Sequence, residues 1–581
     1  MQLCRVMLAF SVALGGLGAM PATVTRVVKR FSSGARPVAG GHLWGKAEDG
    51  AEPVGTFALS RGVRTWHGES VATGEVSRRL AAGRDLVQLA APFAVAAVDG
   101  DGRLSVATDH AGLGHVYGVQ GNGWAAVSSS ARDLADLAGA DLDNESIGAF
   151  RLVGHHLGTA TPYRGVTKLA PGHIWRLADG SLTVDSYPEM APAPAPIDTA
   201  EAVRHHASHL RSTVEGFLDS HPGAVIELSG GLDSRMVLAA IPAHRRSEVR
   251  ALTLTHPGST DLAVAAALAD RSGMAHQIID LSALADIEPH EAYRAALDAA
   301  IRLDGQGSPL GAAALDWSES QVEASPRLSG HGGELARGAY YMQRQYPHVR
   351  PELVDRLARW WVLSNPVPDN VLAPEFAAES RLRIGRQLRE IFASYQTDWL
   401  TATDEFYLRE RLHRWAGLTM ADAATARIVA NPLLDPEILA LARTVPPELR
   451  VGSRYAVRVL DRLDPDLARL QLGSGLRPMV LSRRFTVSRR LGENTMRGFA
   501  AKAAGKVWRQ VVSVGGRASG RASLAGAVTA HLRSHPDLVA PAAETGLLSD
   551  EWLDGYLSGR TDASPVTVDL LLNLAVTSRG R

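Results

Sequence analysis

VIELSGGLDSRMVLA, Val225 to Ala239, is the stretch on which the reading of this chain turns. It enters as a short apolar run ending at Leu228, the pattern of a buried strand, and leaves from Met236 onward with apolar residues at helical spacing. Between the two, Ser229, Gly230, Gly231, Leu232, Asp233 and Ser234 form a tight turn. Backbone N–H groups and the positive end of the helix then converge where a phosphate group would sit. The glycines permit close backbone approach, the two hydroxyls can donate to phosphate oxygens, and Asp233 is placed to hold a magnesium ion bridging them. Ser, Gly and Asp are common turn residues, so SGG alone would signal only a strand-to-helix connection. The segment is not a Walker loop: GxxxxGK[ST] is absent, and no lysine occurs between residues 169 and 501.

Downstream the strand–helix rhythm continues. Arg250 to Thr255 (RALTLT) reads as a second strand, Asp261 to Arg271 as a helix and His276 to Leu281 (HQIIDL) as a third strand. That order predicts a parallel α/β sheet with its chemistry at the carboxyl ends of the strands. Beyond residue 350 the pattern is mostly helical. Upstream, Pro188 to Pro196 (PEMAPAPAP) can neither join a sheet interior nor continue a helix. The expected organisation is a domain over 1–190, a Pro/Ala linker over 191–200 and a second domain over 201–581. The first part reads as all-β: a hairpin over Phe93 to Asp109, strands at Gly112 to Gly118 and around Trp124 to Ser128, and a closing hairpin whose turn is Asp179-Gly180. A meander of this kind predicts stacked sheets.

Composition bounds the remaining classes. Of 581 residues 45% are hydrophobic and 21% charged, and 61 basic side chains balance 61 acidic ones. This is a soluble globular composition, which argues against a generalised nucleic-acid binder. The single cysteine, Cys4, excludes an intrachain disulfide, a CxxC pair or a cysteine-based metal site and suits a reducing cytosol, so a cytoplasmic location is expected. Met7 to Met20 is apolar but shorter than the roughly 20 residues a membrane span requires, and is read as the first buried strands of a folded domain. From Arg483 to Arg533 there are 11 basic residues and one acid, Glu493. That run reads as a solvated face or as a docking surface for an acidic peptide, a partner protein or anionic lipid.

The hexapeptide SGGLDS is similar to the loop of enzymes that split ATP into AMP and pyrophosphate, and from it the chain resembles the asparagine synthetase superfamily. LTLTHPGSTD (Leu252 to Asp261) resembles the family's second-strand segment and LSGHGGELARGAY (Leu328 to Tyr340) its second signature. ARIVANPLLD (Ala426 to Asp435) and RYAVR (Arg454 to Arg458) are similar to two later segments, and DHAGLGHVY with GVTKLAPG to the N-terminal part. The resemblance implies a glutaminase-like N-terminal nucleophile (Ntn) β-sandwich followed by an adenine-nucleotide α-hydrolase-like (PP-loop) parallel α/β domain with a helical C-terminal part. It implies ATP at Leu228, Ser229, Gly230, Gly231, Asp233 and Ser234, adenine beside the backbone at Leu254, further nucleotide contacts at Ser329 and Gly330, and magnesium at Asp233 and Glu334.

The departures sharpen the expectation. A glutaminase of this family needs a cysteine as its first mature residue; here Gln2 follows Met1 and Cys4 stands two places late, so that activity is expected to be missing and Cys4 is read as a small buried hydrophobe. The amine that meets the activated acyl group should then belong to the substrate, as in β-lactam synthetases and in the cyclases that close the isopeptide ring of lasso peptides. His331 stands where the family has Glu and β-lactam synthetases Tyr, and an imidazole is suited to taking a proton from an attacking amine. Its glutamate partner is open, with Glu405 and Glu410 as candidates by spacing. The late lysine of β-lactam synthetases has no counterpart here, and Arg454 or Arg458 would supply fixed positive charge instead. SGGLDSR and GHGGELARG are most like lasso peptide cyclases. The expected activity is AMP-forming macrolactam closure of a precursor peptide through an Asp or Glu side chain, with a leader peptidase and a leader-binding protein as partners. The alternatives are a β-lactam synthetase-like or asparagine synthetase-like ligase acting on a small molecule, and a nucleotide-binding regulator without catalysis.

Overall fold

Sixteen strands and the helices that join them are described by a computed structural model, which covers residues 62–187, 198–341, 345–363, 366–473, 478 and 520–578 and the backbone of four strands ahead of them. Those four are β1 (Gln2–Val12), β2 (Arg36–Val38), β3 (Gly41–Ala47) and β4 (Thr56–Ala58). They pair with β5 (Ala94–Val98), β6 (Leu104–Thr108), β7 (Tyr117–Gly121), β8 (Trp124–Ser128), β9 (Thr167–Lys168), β10 (His173–Ala178) and β11 (Ser181–Ser186) in one 11-stranded sheet, ordered β11-β10-β6-β5-β4-β1-β8-β7-β9 with β3 also on β1 and β2 on β3. β1 is the corner: its first residues pair with β4, while Leu8 to Val12 pair with β8. The sheet therefore folds over itself. Ala94, Val106 and Trp175 from one layer meet Ala125 and Val127 from the other in a common core, as the alternating sequence pattern predicts.

The hairpin at Asp179-Gly180 forms as expected, both residues taking positive φ (46° and 74°) as a two-residue turn between β10 and β11 requires. The strand expected over Gly112 to Gly118 is a correction. β7 begins only at Tyr117, because the Asp109 carboxylate accepts from the N–H groups of Phe93, Ala111, Leu113 and Gly114 at 3.1–3.2 Å and curls that stretch into a loop. The apolar N-terminal run is strand as far as Val12; residues 13–35 and the proline-rich seam at 188–197 lie outside the described residues. No helix among the described residues is long and apolar enough to cross a membrane.

The second sheet is wholly parallel: β12 (Val225–Glu227), β13 (Arg250–Thr255), β14 (His276–Asp280), β15 (Arg327–Leu328) and β16 (Val429–Ala430), in the order β14-β13-β12-β15-β16. Because β12 and β15 are neighbours but far apart in sequence, the strand order reverses between them, and the loops leaving both emerge side by side. Behind them Leu210 and Phe217 of the helix Thr199–Ser220, Met236 of the helix Asp233–Ala240 and Val459 of the helix Arg454–Leu463 close one apolar core. Burial of such side chains is worth about 1.5–3 kcal/mol each, and it anchors the strand and the helix on either side of the β12 turn.

The two halves of the chain also share core residues, Tyr117 and Phe150 packing in one cluster with Leu303 and Phe376. Arg151 locks this junction. Fully buried on the helix Asn144–Val153, it donates to Ser380 Oγ at 2.7 Å, the Ala377 carbonyl at 2.7 Å and Asp369 Oδ1 at 2.7 Å. Replacing it by methionine keeps the bulk but removes the guanidinium donor from Ser380 Oγ, from the Ala377 carbonyl and from Asp369 Oδ1, leaving Asp369 with Arg381 alone, a loss of about 3 kcal/mol. Arg151→Met is expected to lower the thermal midpoint by several degrees. Arg381→Met, which removes the exposed partner of the same Asp369, should barely move it.

Candidate functional site

The turn after β12 is stabilised from within. Ser229 N–H donates to Ser234 Oγ at 3.2 Å, the two hydroxyls stand 3.1 Å apart, and Gly231 N–H donates to Ser229 Oγ at 3.2 Å. Leu228 is buried below it, with its N–H on the Leu252 carbonyl at 2.8 Å and its own carbonyl accepting from Thr253 Oγ1 at 2.8 Å. The turn is thereby joined to β13, whose outer end carries Leu254.

The loop after β15 crosses directly over the start of the helix Asp233–Ala240. Ser329 is buried and held to β16 through the Ala430 carbonyl at 2.9 Å. Gly330 passes so close that a Cβ there would stand 2.6 Å from Ser234 N, and Gly332, at φ +104°, would place one 2.5 Å from a Leu434 methyl. No other residue type fits either position. This tight crossing sets Glu334, at the start of the short helix Glu334–Arg337, beside Asp233.

One guanidinium joins the two carboxylates. Arg337 Nη2 lies 2.9 Å from Asp233 Oδ2 and 3.5 Å from Glu334 Oε1, while the Tyr407 hydroxyl donates to Glu334 Oε2 at 2.7 Å. Asp233 Oδ1 is buried with no hydrogen-bond partner. Burial raises the Asp233 carboxyl to about 7 against the opposing pull of Arg337, with Glu334 adding to the rise. Burial, reinforced by Glu334, raises the Tyr407 phenol far above its usual range, so it remains a donor. Among the described residues, two carboxyl groups thus face one guanidinium, and one carboxyl oxygen is left unserved.

Ser229, Gly230, Gly231, Asp233, Ser234, Ser329, Gly330 and Glu334 thus come together at the strand-order reversal. The remaining expected residues stand apart from this cluster. His331 is exposed on the loop, and both candidate partners are engaged elsewhere: Glu405 pairs with Arg409 and Arg443, and buried Glu410, raised to about 7 by burial, accepts from Gly158 N–H at 2.7 Å. Arg454 is buried and donates to the Glu448 carbonyl at 3.4 Å, while Arg458 is exposed one turn on. Among the described residues, the cation in contact with the carboxylates is Arg337, which the sequence reading missed although it sits three residues after Glu334 on the same helix. Tyr407 was missed as well. Of the basic run from Arg483, residues 479–519 lie outside the described residues. Its described members Arg521 and Arg533 are structural, pairing with Asp569 and with Asp562 and the Tyr556 carbonyl.

Residues 205–462 match the family model described as asparagine synthase. No curated protein matches the chain. Among solved structures, the NH3-dependent NAD synthetase from Campylobacter jejuni subsp. jejuni NCTC 11168, in complex with the nitrate ion, is 19% identical over 24% of this chain, with a TM-score of 0.17; the chain spans 61% of that structure's length.

Proposed function

We propose that this chain is an ATP-dependent amide-forming ligase that activates a side-chain carboxylate of a peptide as its acyl-adenylate and closes it onto the peptide's own N-terminal amine. The observation that carries the reading is the meeting of Asp233 and Glu334 beside the Ser229–Ser234 turn. The oxygen donors and the unpartnered Asp233 Oδ1 fit a magnesium ion. Among the described residues no group of three or more His, Cys, Asp or Glu side chains could hold a metal by itself. That suits a cation whose remaining ligands are phosphate oxygens and water. When bound, magnesium would neutralise charge on the phosphates.

The first step joins a substrate carboxylate oxygen to the α-phosphorus of ATP and breaks the bond to the β-phosphate oxygen. The hydroxyls of Ser229 and Ser234 and the N–H groups of Gly230 and Gly231 would receive the departing pyrophosphate. Leu228, Leu254, Ser329 and Gly330 would hold the nucleoside and α-phosphate. In the second step the amine attacks the acyl carbon, AMP leaves with the bonding electrons of the C–O bond, and the amine's proton passes to His331. Arg337 supplies fixed positive charge next to the carboxylates, with Arg454 and Arg458 on the neighbouring helix. Holding amine and carbonyl within one threaded peptide would provide much of the acceleration, since effective molarities reach about 10⁵–10⁸ M.

A substrate amine is preferred because the only cysteine, Cys4, lies inside β1 opposite Ala47, with Gln2 and Leu3 paired ahead of it. Its thiol therefore has no α-amine of its own to assist it. Absence of lysine from 169 to 501 weighs against β-lactam closure. The reading brings with it a precursor peptide and proteins that remove and recognise its leader.

His331→Ala separates the two steps. Peptide-dependent exchange of labelled pyrophosphate into ATP is expected to stay within a few fold, while single-turnover ring closure slows about 10²-fold or more. Equal loss of both would remove His331 from the second step.

A further inference from the structure

We propose that the cleft between the folded N-terminal sheet and the C-terminal helices is a second binding site, occupied by an extended and largely uncharged peptide segment. The inference rests on the reading of the substrate as a peptide, and it assigns where part of that peptide is held.

The cleft has a volume of about 780 Å³, within the range of ligand-binding cavities. Its walls come from both halves: Phe93, His115 and Arg132 on one side, Asp304, Leu315 and Arg427 on the other. Neither the Ser229–Ser234 turn nor the Ser329–Arg337 loop lines it, so it is distinct from the site described above.

Its polar groups are served unevenly. Asp304 accepts from Ser130 Oγ and Ala131 N–H, both at 2.8 Å, and Asp316 and Asp422 both accept from Arg302 at 2.7 Å. By contrast Arg132 Nε, Arg427 Nε and His115 Nε2 are buried without a hydrogen-bond partner, although Arg427 Nη1 pairs with Glu319 at 2.9 Å. The unmet capacity is mainly that of N–H donors, which calls for an occupant rich in acceptors. A compact dianion such as phosphate is disfavoured, since Asp133, Asp304, Asp316 and Asp422 outnumber Arg132, Arg302 and Arg427 around the same space. Peptide carbonyls accept hydrogen bonds without bringing charge, and peptide N–H groups can serve a ring nitrogen such as His115 Nε2. Two large apolar side chains on the wall, Ile301 and Leu315, are 43% and 37% exposed and offer a surface for apolar residues of the segment.

The test uses the full chain and an equimolar pool of acetylated, amidated octapeptides built from Ala, Gly, Ser, Leu and Phe, with retained peptides quantified by mass spectrometry after ultrafiltration. Wild type is expected to retain members of the pool, and Arg132→Gln and Leu315→Asp each to reduce retention at least tenfold. Leu315 is partly exposed, so its variant should fold even if Arg132→Gln does not, and a thermal melt checks both. Asp233→Asn is expected to retain peptide like wild type. If it loses retention, the peptides bind at the nucleotide turn and the inference fails. Absence of retention by wild type, equal retention by the cleft variants, or displacement by millimolar free glutamine would each overturn it. Pyrophosphate exchange with an acidic peptide reports on the ligase reading separately, so either can fail alone.

Discussion

Asp233→Asn is expected to lower exchange of labelled pyrophosphate into ATP by about 10³-fold or more while the thermal midpoint stays within a few degrees. The carboxylate is enclosed by the Gly330–Gly333 crossing and has one oxygen on Arg337 and one on nothing. An amide of the same shape keeps the packing but removes the negative oxygen that a cation on the phosphates would use. Loss of such electrostatic stabilisation is worth several kcal/mol, and each 1.36 kcal/mol is a factor of ten in rate. Stability should change little because two effects offset. The variant gives up the pair with Arg337, but it also relieves burial of a charge whose carboxyl is already raised to about 7. Glu334 remains on Arg337 and Tyr407, so the guanidinium is not orphaned. Activity retained near the wild-type level in a folded Asp233→Asn protein would refute the assignment of the turn.

How far the site was legible in the sequence follows from how local each feature is. The β12 turn is a strand, six residues and a helix in direct succession, so its composition declares it. The pairing of Asp233 with Glu334 is not local. It depends on β12 and β15 being neighbours and on Gly330 tolerating contact with Ser234, and it entered the sequence reading only through resemblance. Arg337 and Tyr407 escaped because nothing in their own surroundings marks them: one completes a four-residue helix, the other begins a π-helical turn from Tyr407 to Ala416 whose face toward Glu334 is set by tertiary packing. The misread strand at Gly112–Gly118 shows the opposite failure. Its alternation is genuine, but one carboxylate, Asp109, offers four backbone N–H groups an alternative to a sheet. His331 lies on the loop that carries Glu334, but its partner was sought by spacing, and spacing carries no information about which way Glu405 and Glu410 face.

Arg235→Ala should raise the KM for ATP at least tenfold, with a smaller fall in kcat, and should also lower the thermal midpoint. Arg235 immediately follows Ser234 and is fully buried. Its guanidinium donates to the carbonyls of Leu467 at 3.3 Å, Leu470 at 2.6 Å and Gln471 at 2.8 Å. Two residues further on, Gly473 N–H reaches the Gly230 carbonyl at 2.9 Å. The side chain therefore ties the segment Leu467–Gly473, which closes one side of the turn, to the helix that begins beneath it. Burial lowers the guanidinium to about 10, still protonated at neutral pH. Truncation leaves three carbonyls without that donor and opens a cavity, a cost of about 3–5 kcal/mol. Part of that loss falls on global stability and part on the order of the turn. A less ordered turn pays for its ordering when nucleotide binds, which appears in KM; once bound, the reacting groups are those of the wild type, so kcat falls less. Arg235→Lys is expected to recover only part of the affinity, because a single ammonium cannot serve three carbonyls with the planar fork of a guanidinium. Initial rates of pyrophosphate release against ATP concentration, read together with thermal melts, distinguish the outcomes. A lowered melting point with an unchanged KM for ATP would make Arg235 a stabilising residue alone and detach the Leu467–Gly473 segment from the nucleotide site.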